Sequence, residues 1–181
     1  MHRGALGCGA MTPPDDRRFA ALGLLVERAA VMEIALRMTF CALIGGRYAA
    51  AVAVGQETHW LIENCEAIMR QRGDIPAEGQ DAMRSALRAC RDANRDRNRL
   101  VHDAWGTGPD GAPAVMESLR HSYQVSGREW TADEILAGAA GVAAAQHLLL
   151  TTVEDALGHG SLETAGQLLA SEARHGVNSP S

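Results

Sequence analysis

The chain contains no lysine: all 17 of its basic residues are arginine, set against 22 acidic ones, for a formal net charge of −5. That balance excludes the broad cationic surface of a protein that coats nucleic acid generally. It leaves room for a local phosphate site, because the planar arginine guanidinium makes bidentate contacts and is weakly hydrated enough to sit at interfaces. Aromatic residues are scarce as well, seven in 181, which argues against base-stacking platforms of the single-strand-binding kind. The four cysteines, Cys8, Cys41, Cys65 and Cys90, stand singly, so neither a CxxC metal motif nor a disulfide framework is present. Three of them fall in helical segments and read as reduced, buried thiols. His59, His147 and His159 have no metal-ligand spacing, and neither a metal nor a cofactor is expected. No unbroken apolar run reaches about 18 residues, and residues 1–14 lack the apolar core of a signal peptide. The expectation is a cytoplasmic protein with no membrane segment.

What remains is a chain with 46% apolar residues, enough for the core of one domain. Residues 1–14 are aperiodic and read as a disordered leader. A long helix is expected from Asp15 or Asp16 to Ile44, closed by Gly45-Gly46. It carries two apolar stripes, one through Phe19, Leu22, Val26 and Phe40 and another through Leu25, Met32 and Leu36. A helix apolar on more than one side belongs at a bundle centre or an oligomer seam. A short helix over 48–54, a second after Gly55 and a third from about Gln80 to Trp105 follow. GTGPDGAP, residues 106–113, interrupts the helical pattern. Alternation over 114–125, with a turn at Ser126-Gly127, predicts a small β-hairpin spanning about 114–130. Thr131 and Glu134 form a capping box for a last long helix over 132–157, and a short helix at 161–173 and a flexible tail complete the chain. The predicted fold is mainly α: an antiparallel helical bundle, one domain over 15–157, with a hairpin before its last long helix.

Residues 84–103, RSALRACRDANRDRNRLVHD, concentrate six arginines and three aspartates. Arg84, Arg88, Arg91, Arg95, Arg99 and His102 fall within about 80° on a helical wheel. That stripe is either a solvated face neutralised by Asp92 and Asp96 or a track for a phosphate backbone. Arg97 stands apart, on the apolar side with Ala86, Cys90, Ala93 and Val101. A guanidinium there needs a partner or an anion, because an unpaired buried charge is very costly. In the first helix Glu33 and Arg37 sit within an apolar stripe at i, i+4. Two pairings are open, Glu33 with Arg97 or Glu33 with Arg37. Either is purely structural, or these residues support Arg97 at a functional pocket.

The run Arg97-Asn98-Arg99-Leu100-Val101-His102 resembles the signature of the HEPN (higher eukaryotes and prokaryotes nucleotide-binding) superfamily, an arginine, commonly followed by a polar residue, with a histidine four to six residues beyond it. Given the 17 arginines, seven histidines and four asparagines of the chain, about 0.02 chance matches are expected. The following Asp103-Ala104-Trp105-Gly106 also resembles short bacterial HEPN-like proteins. The resemblance implies a HEPN-like bundle acting as a metal-independent ribonuclease, with two copies of the motif facing one cleft of a homodimer. It assigns catalysis to Arg97, His102 and Asn98; the stripe arginines Arg91, Arg95 and Arg99 would then attract the RNA backbone, Arg120 of the hairpin would extend that contact, and Glu33, Arg37 and Asp103 would support the site. Such proteins serve as toxins of toxin–antitoxin pairs or as antiviral defence effectors, which adds RNA and an antitoxin or regulatory protein as expected partners. Arg95, six residues before His102, is a competing arginine that lacks the following asparagine. Arg97 and His102 lie about 140° apart on an ideal helix. Either the helix ends or distorts before His102, or two subunits complement each other. Two other readings stay open: a catalytically silent HEPN-like module that binds a nucleotide, RNA or protein, and a purely structural helical dimer.

Overall fold

The computed structural model describes residues 16–46, 48–102, 104–107, 113–119, 122–126 and 130–176. They form a mainly helical bundle: α1 (Asp16–Ile44), α2 (Ala49–Ala53), α3 (Thr58–Gln71), α4 (Ala77–His102), α5 (Ala132–Leu157) and α6 (Ser161–Gly176). The leader assigned to 1–14 lies outside the described residues.

α1 is the axis. Its 29 residues touch every other helix, most extensively α5, and Leu25, Met32, Leu36, Phe40 and Leu43 are fully buried along it. Its C-terminus is closed by two glycines in the left-handed region, Gly45 (φ +70°) and Gly46 (φ +78°). Arg72, at the end of α3, donates to the Leu43 carbonyl at 2.7 Å, satisfying one of the carbonyls that a helix end leaves without a partner. The same guanidinium forks onto Asp74, whose carboxyl it holds below the usual range mainly through that hydrogen bond. Phe40 and Trp60 meet at 5.3 Å between ring centres and tie α1 to α3.

α5 begins at the expected capping box: the Glu134 amide donates to Thr131 Oγ1 (3.2 Å) and the Thr131 amide to Glu134 Oε2 (2.9 Å). At its other end Glu154 accepts the amides of Gly160 and Leu162, both at 2.9 Å, and so fastens the start of α6. Contacts of Gly79 with Ala156 and of Cys90 with Ala145 show that α4 runs antiparallel to α5. α1 and α5, by contrast, run in the same direction, with Arg17 on Asp133 and Leu25 beside Gly138. The bundle is therefore not antiparallel throughout. Three helices separate α1 from α5 in sequence, and a connection that long imposes no reversal.

The strands expected over 114–130 are not a lone hairpin: β1 (Ala104–Thr107), β2 (Pro113–Leu119) and β3 (Ser122–Ser126) pair antiparallel in the order β1-β2-β3. Trp105 is in register with Val115, and Met116 with Val125. The alternating run is divided between β2 and β3, which pair from Leu119 with Ser122 to Val115 with Ser126, and Gly127 of the expected turn lies outside the described residues. A period of two marks extended chain but gives no signal for the point at which it reverses.

Cys41, Cys65 and Cys90 are reduced and buried where α1, α3 and α4 meet. Burial pushes the Cys41 thiol up to about 11 and the Cys90 thiol up to about 12. Burial, followed by the nearby Cys41 and Cys90 sulfurs, raises Cys65 as well. The folded chain keeps thiol protons that the unfolded chain releases above about pH 8.5. These groups leave stability unaffected below that pH and erode it as pH rises toward the folded values. The urea midpoint of the wild type should fall more steeply above about pH 9 than that of Cys65→Ala, and parallel pH profiles would contradict this. Thr131→Ala should lower stability by about 1 kcal/mol, through loss of the hydroxyl that accepts the Glu134 amide, as read from urea unfolding at neutral pH.

Candidate phosphate-binding site on α4

α4 begins after Pro76, and the Gln80 side chain pins that start by donating to the Arg72 and Ile75 carbonyls (3.3 and 3.1 Å). Met83, Ala86, Leu87, Cys90 and Leu100 are buried on its inner face, and Ala93 and Val101 pack against the same core. Arg97 occupies that inner face, half-buried. Its Nη1 donates to Asn98 Oδ1 at 2.8 Å, while its Nε is buried with no acceptor. Among the described residues no carboxylate pairs with it.

Of the two pairings open for Glu33, the one formed is local: Glu33 binds Arg37, and Arg37 Nη2 also reaches the Gln56 carbonyl at 3.5 Å. Arg37, like Arg97, has a buried Nε with no acceptor. A buried Glu33–Arg97 pair is therefore corrected to an i, i+4 pair within α1, where two side chains one turn apart are already neighbours.

The basic stripe is largely neutralised on the spot. Arg84 binds Asp81, Arg91 Nη2 reaches Glu66 of α3 at 3.0 Å, and Arg95 Nη2 reaches Asp92 at 3.1 Å. Arg88 is exposed and has no ion pair among the described residues. Arg99 is exposed at the rim of a groove between α4 and α5. The competing arginine, Arg95, thus lies on the solvent side with a carboxylate of its own, and among the described residues Arg97 is the half-buried arginine of α4 that pairs with no carboxylate.

His102 is placed by its backbone, as the last residue of α4, which runs unbroken to it from Ala77. The helix therefore neither ends nor gives way before the histidine. Between Arg97 and His102 it rises about 7.5 Å and turns about 140°. Asp103 and Arg120, assigned to support and RNA contact, lie outside the described residues, as does His121. Trp130 is half-buried against the core, as a packing residue would be. Among the described residues no three His, Cys, Asp or Glu side chains are grouped to hold a metal ion.

The groove, with a volume of about 730 Å³, runs along α4 and α5 and carries Asp92, Asp96, Arg99 and Glu134 around an apolar floor. The sequence reading overlooked it, although the signal was there: between Glu134 and Glu154, α5 contains no Asp, Glu or Arg. No family model, curated protein or solved structure matches the chain.

If Arg97 serves an anion and not the fold, an apolar side chain of similar length should replace it at no loss of stability, since no partner is orphaned except an amide that can turn to water. Arg97→Met should therefore unfold within about 1 kcal/mol of the wild type, or later, in urea. A loss above about 3 kcal/mol would mark a broken buried ion pair instead.

Proposed function

We propose that this chain is a metal-independent RNA endonuclease that works as a HEPN-like homodimer. The observation that carries the reading is Arg97: a guanidinium on the buried face of α4, oriented by Asn98, with an unsatisfied Nε and no carboxylate among the described residues, five positions before a histidine that ends the helix. A scissile phosphate would supply the missing acceptor. Arg97 would hold its non-bridging oxygens and stabilise the charge that builds as the ribose 2′-oxygen attacks phosphorus. His102, ordinarily titrating near neutrality, would take the 2′-hydroxyl proton or deliver one to the departing 5′-oxygen. The P–O5′ bond breaks, leaving a 2′,3′-cyclic phosphate and a 5′-hydroxyl end. No metal enters this chemistry.

The unbroken helix supports the dimer. With about 140° between them, Arg97 and His102 of one straight helix do not address one point, so the cleft would take these groups from two subunits. The self-neutralised stripe supports a short substrate contact over a long backbone track, because drawing Arg91 or Arg95 to phosphate would uncover Glu66 or Asp92. That same neutralisation favours a second reading, a silent module that binds a nucleotide, RNA or a protein partner through Arg97. A role as toxin or defence effector, restrained by an antitoxin or regulatory protein, fits the first reading by analogy.

Purified protein should cut single-stranded RNA in the presence of a chelator, giving cyclic-phosphate ends. Arg97→Ala and His102→Ala should each lower the rate by at least about 100-fold while the helical circular dichroism persists. Cleavage that survives both substitutions refutes the assignment; phosphate-dependent binding lost in Arg97→Ala, with no new RNA ends from the wild type, establishes the silent module.

A further inference from the structure

α1 fills the inner side of the α4–α5 pair, where its Leu25 lies beside Gly138 and Leu100. The outer side of the same two helices is the groove of about 730 Å³, which no described element covers. From Glu134 to Leu148 its α5 wall is about 21 Å long. That wall has the character of a buried surface. No Asp, Glu or Arg interrupts α5 between Glu134 and Glu154, yet only 33% of its most apolar stretch is buried. Ala137, Gly141, Ala144 and Leu148 face solvent at intervals of four, three and four residues, the spacing with which one helix meets another. A helix apolar on every side is normally covered on every side.

We propose that a cationic amphipathic helix of a different protein seats in the α4–α5 groove. Shape selects a helix. Two packed helices leave a furrow on each side, and α1 already lies in one of them. Side chains as small as Ala93, Gly141 and Ala144 let a further helix approach the other at the ordinary interaxial distance of about 8–10 Å. Leu148 at one end, with Leu100 and Trp130 at the other, would close on the apolar side chains it brings. Charge selects its sign. Among the described residues Asp92, Asp96 and Glu134 line the groove with one arginine, Arg99. Asp96 is exposed and has no ion pair among the described residues, and Asp92, one turn before it, holds the exposed Arg95. Lysines or arginines one turn apart on the incoming helix would meet both acids. The same acids weigh against other occupants. They repel RNA, and hydrocarbon would not accept them. A second copy of this chain offering the same face would set acids against acids, and one offering a different face would build a ring or an open filament in place of a closed dimer.

Arg97 does not line the groove, so this surface and the cleavage chemistry stand or fall separately. The probes are two fluorescent amidated peptides of about 16 residues, with leucine at heptad positions a and d, and with lysine in one and glutamate in the other at e and g. Titrated with the full chain and followed by anisotropy, the lysine peptide should bind with a Kd of about 10 μM and the glutamate peptide at least about tenfold more weakly. Ala144→Arg, at an exposed position of the α5 wall, should weaken the lysine peptide at least about tenfold. Asp96→Lys should do the same and tighten the glutamate peptide, whereas Glu163→Lys, an equal charge change on α6, should leave both Kd values within about twofold of the wild type. No binding of the lysine peptide at about 0.5 mM, equal affinity for the two peptides, or an Asp96→Lys variant that behaves like Glu163→Lys would each overturn the proposal. So would a wild-type dimer that Ala144→Arg converts to a monomer in sedimentation velocity, or flotation with phosphatidylcholine vesicles that the same substitution abolishes, since a second copy or a lipid surface would then own this face.

Discussion

The architecture depends on covering helices that are apolar on every side. α1 meets this in part by running through the bundle, where α3, α4, α5 and α6 each pack on it, while its Phe19, Val26, Ile34 and Ile44 stay exposed. α5 lies beside α1 in the same direction, and small residues at the contact let the two approach closely; at Gly138 an added Cβ would stand 3.5 Å from Leu100 and 3.9 Å from Leu25. Only one face of α5 is used in this way. The remaining uncharged face, together with α4, forms the groove, while the larger exposed apolar side chains, Phe19, Val26, Ile34, Ile44, Val52 and Val54, lie on α1 and around α2.

Helix positions were legible in the sequence because each rests on local chemistry. Gly45-Gly46 stops α1 through its left-handed backbone, and Thr131 and Glu134 start α5 through a reciprocal pair of hydrogen bonds. Relative direction was not legible, since periodicity gives the face a helix buries without giving the sense in which its neighbour runs. The meander was half legible for a related reason: alternation revealed extended chain around 114–125, but the reversal between Leu119 and Ser122 lies inside the alternating run.

For the site, wheel geometry correctly set Arg97 apart from the other arginines of its helix. It could not distribute their carboxylates. The pairing of Arg91 with Glu66 spans two helices, and that of Glu33 with Arg37 competes with a longer-range alternative that looked equally plausible on paper. Which pairs form follows from side-chain reach. Partners one helical turn apart need no tertiary arrangement, and they claimed Arg37, Arg84 and Arg95. Arg97 has no acid one turn away on its own face: position 93 is alanine and position 101 is valine. Among the described residues its acceptor is the neighbouring Asn98, a neutral amide that can orient a cation without cancelling its charge.

That difference would reconcile an acidic chain with the proposed phosphate-directed function. A net charge of −5 repels RNA at long range, and a stripe of internally paired arginines does little to offset it. Recognition would then depend on short-range contact at Arg97, where partial burial strengthens each hydrogen bond and no competing carboxylate need be displaced. Such a site would bind weakly through any single copy. Two copies joined in the proposed dimer would present two guanidiniums to one strand, and the second contact would be made at the high effective concentration set by the first. In the proposed assembly, pairing would offset what each acidic chain forgoes in charge. Arg99 and Leu100, which belong to the motif, also line the end of the α4–α5 groove, so the motif borders an apolar surface and not only solvent.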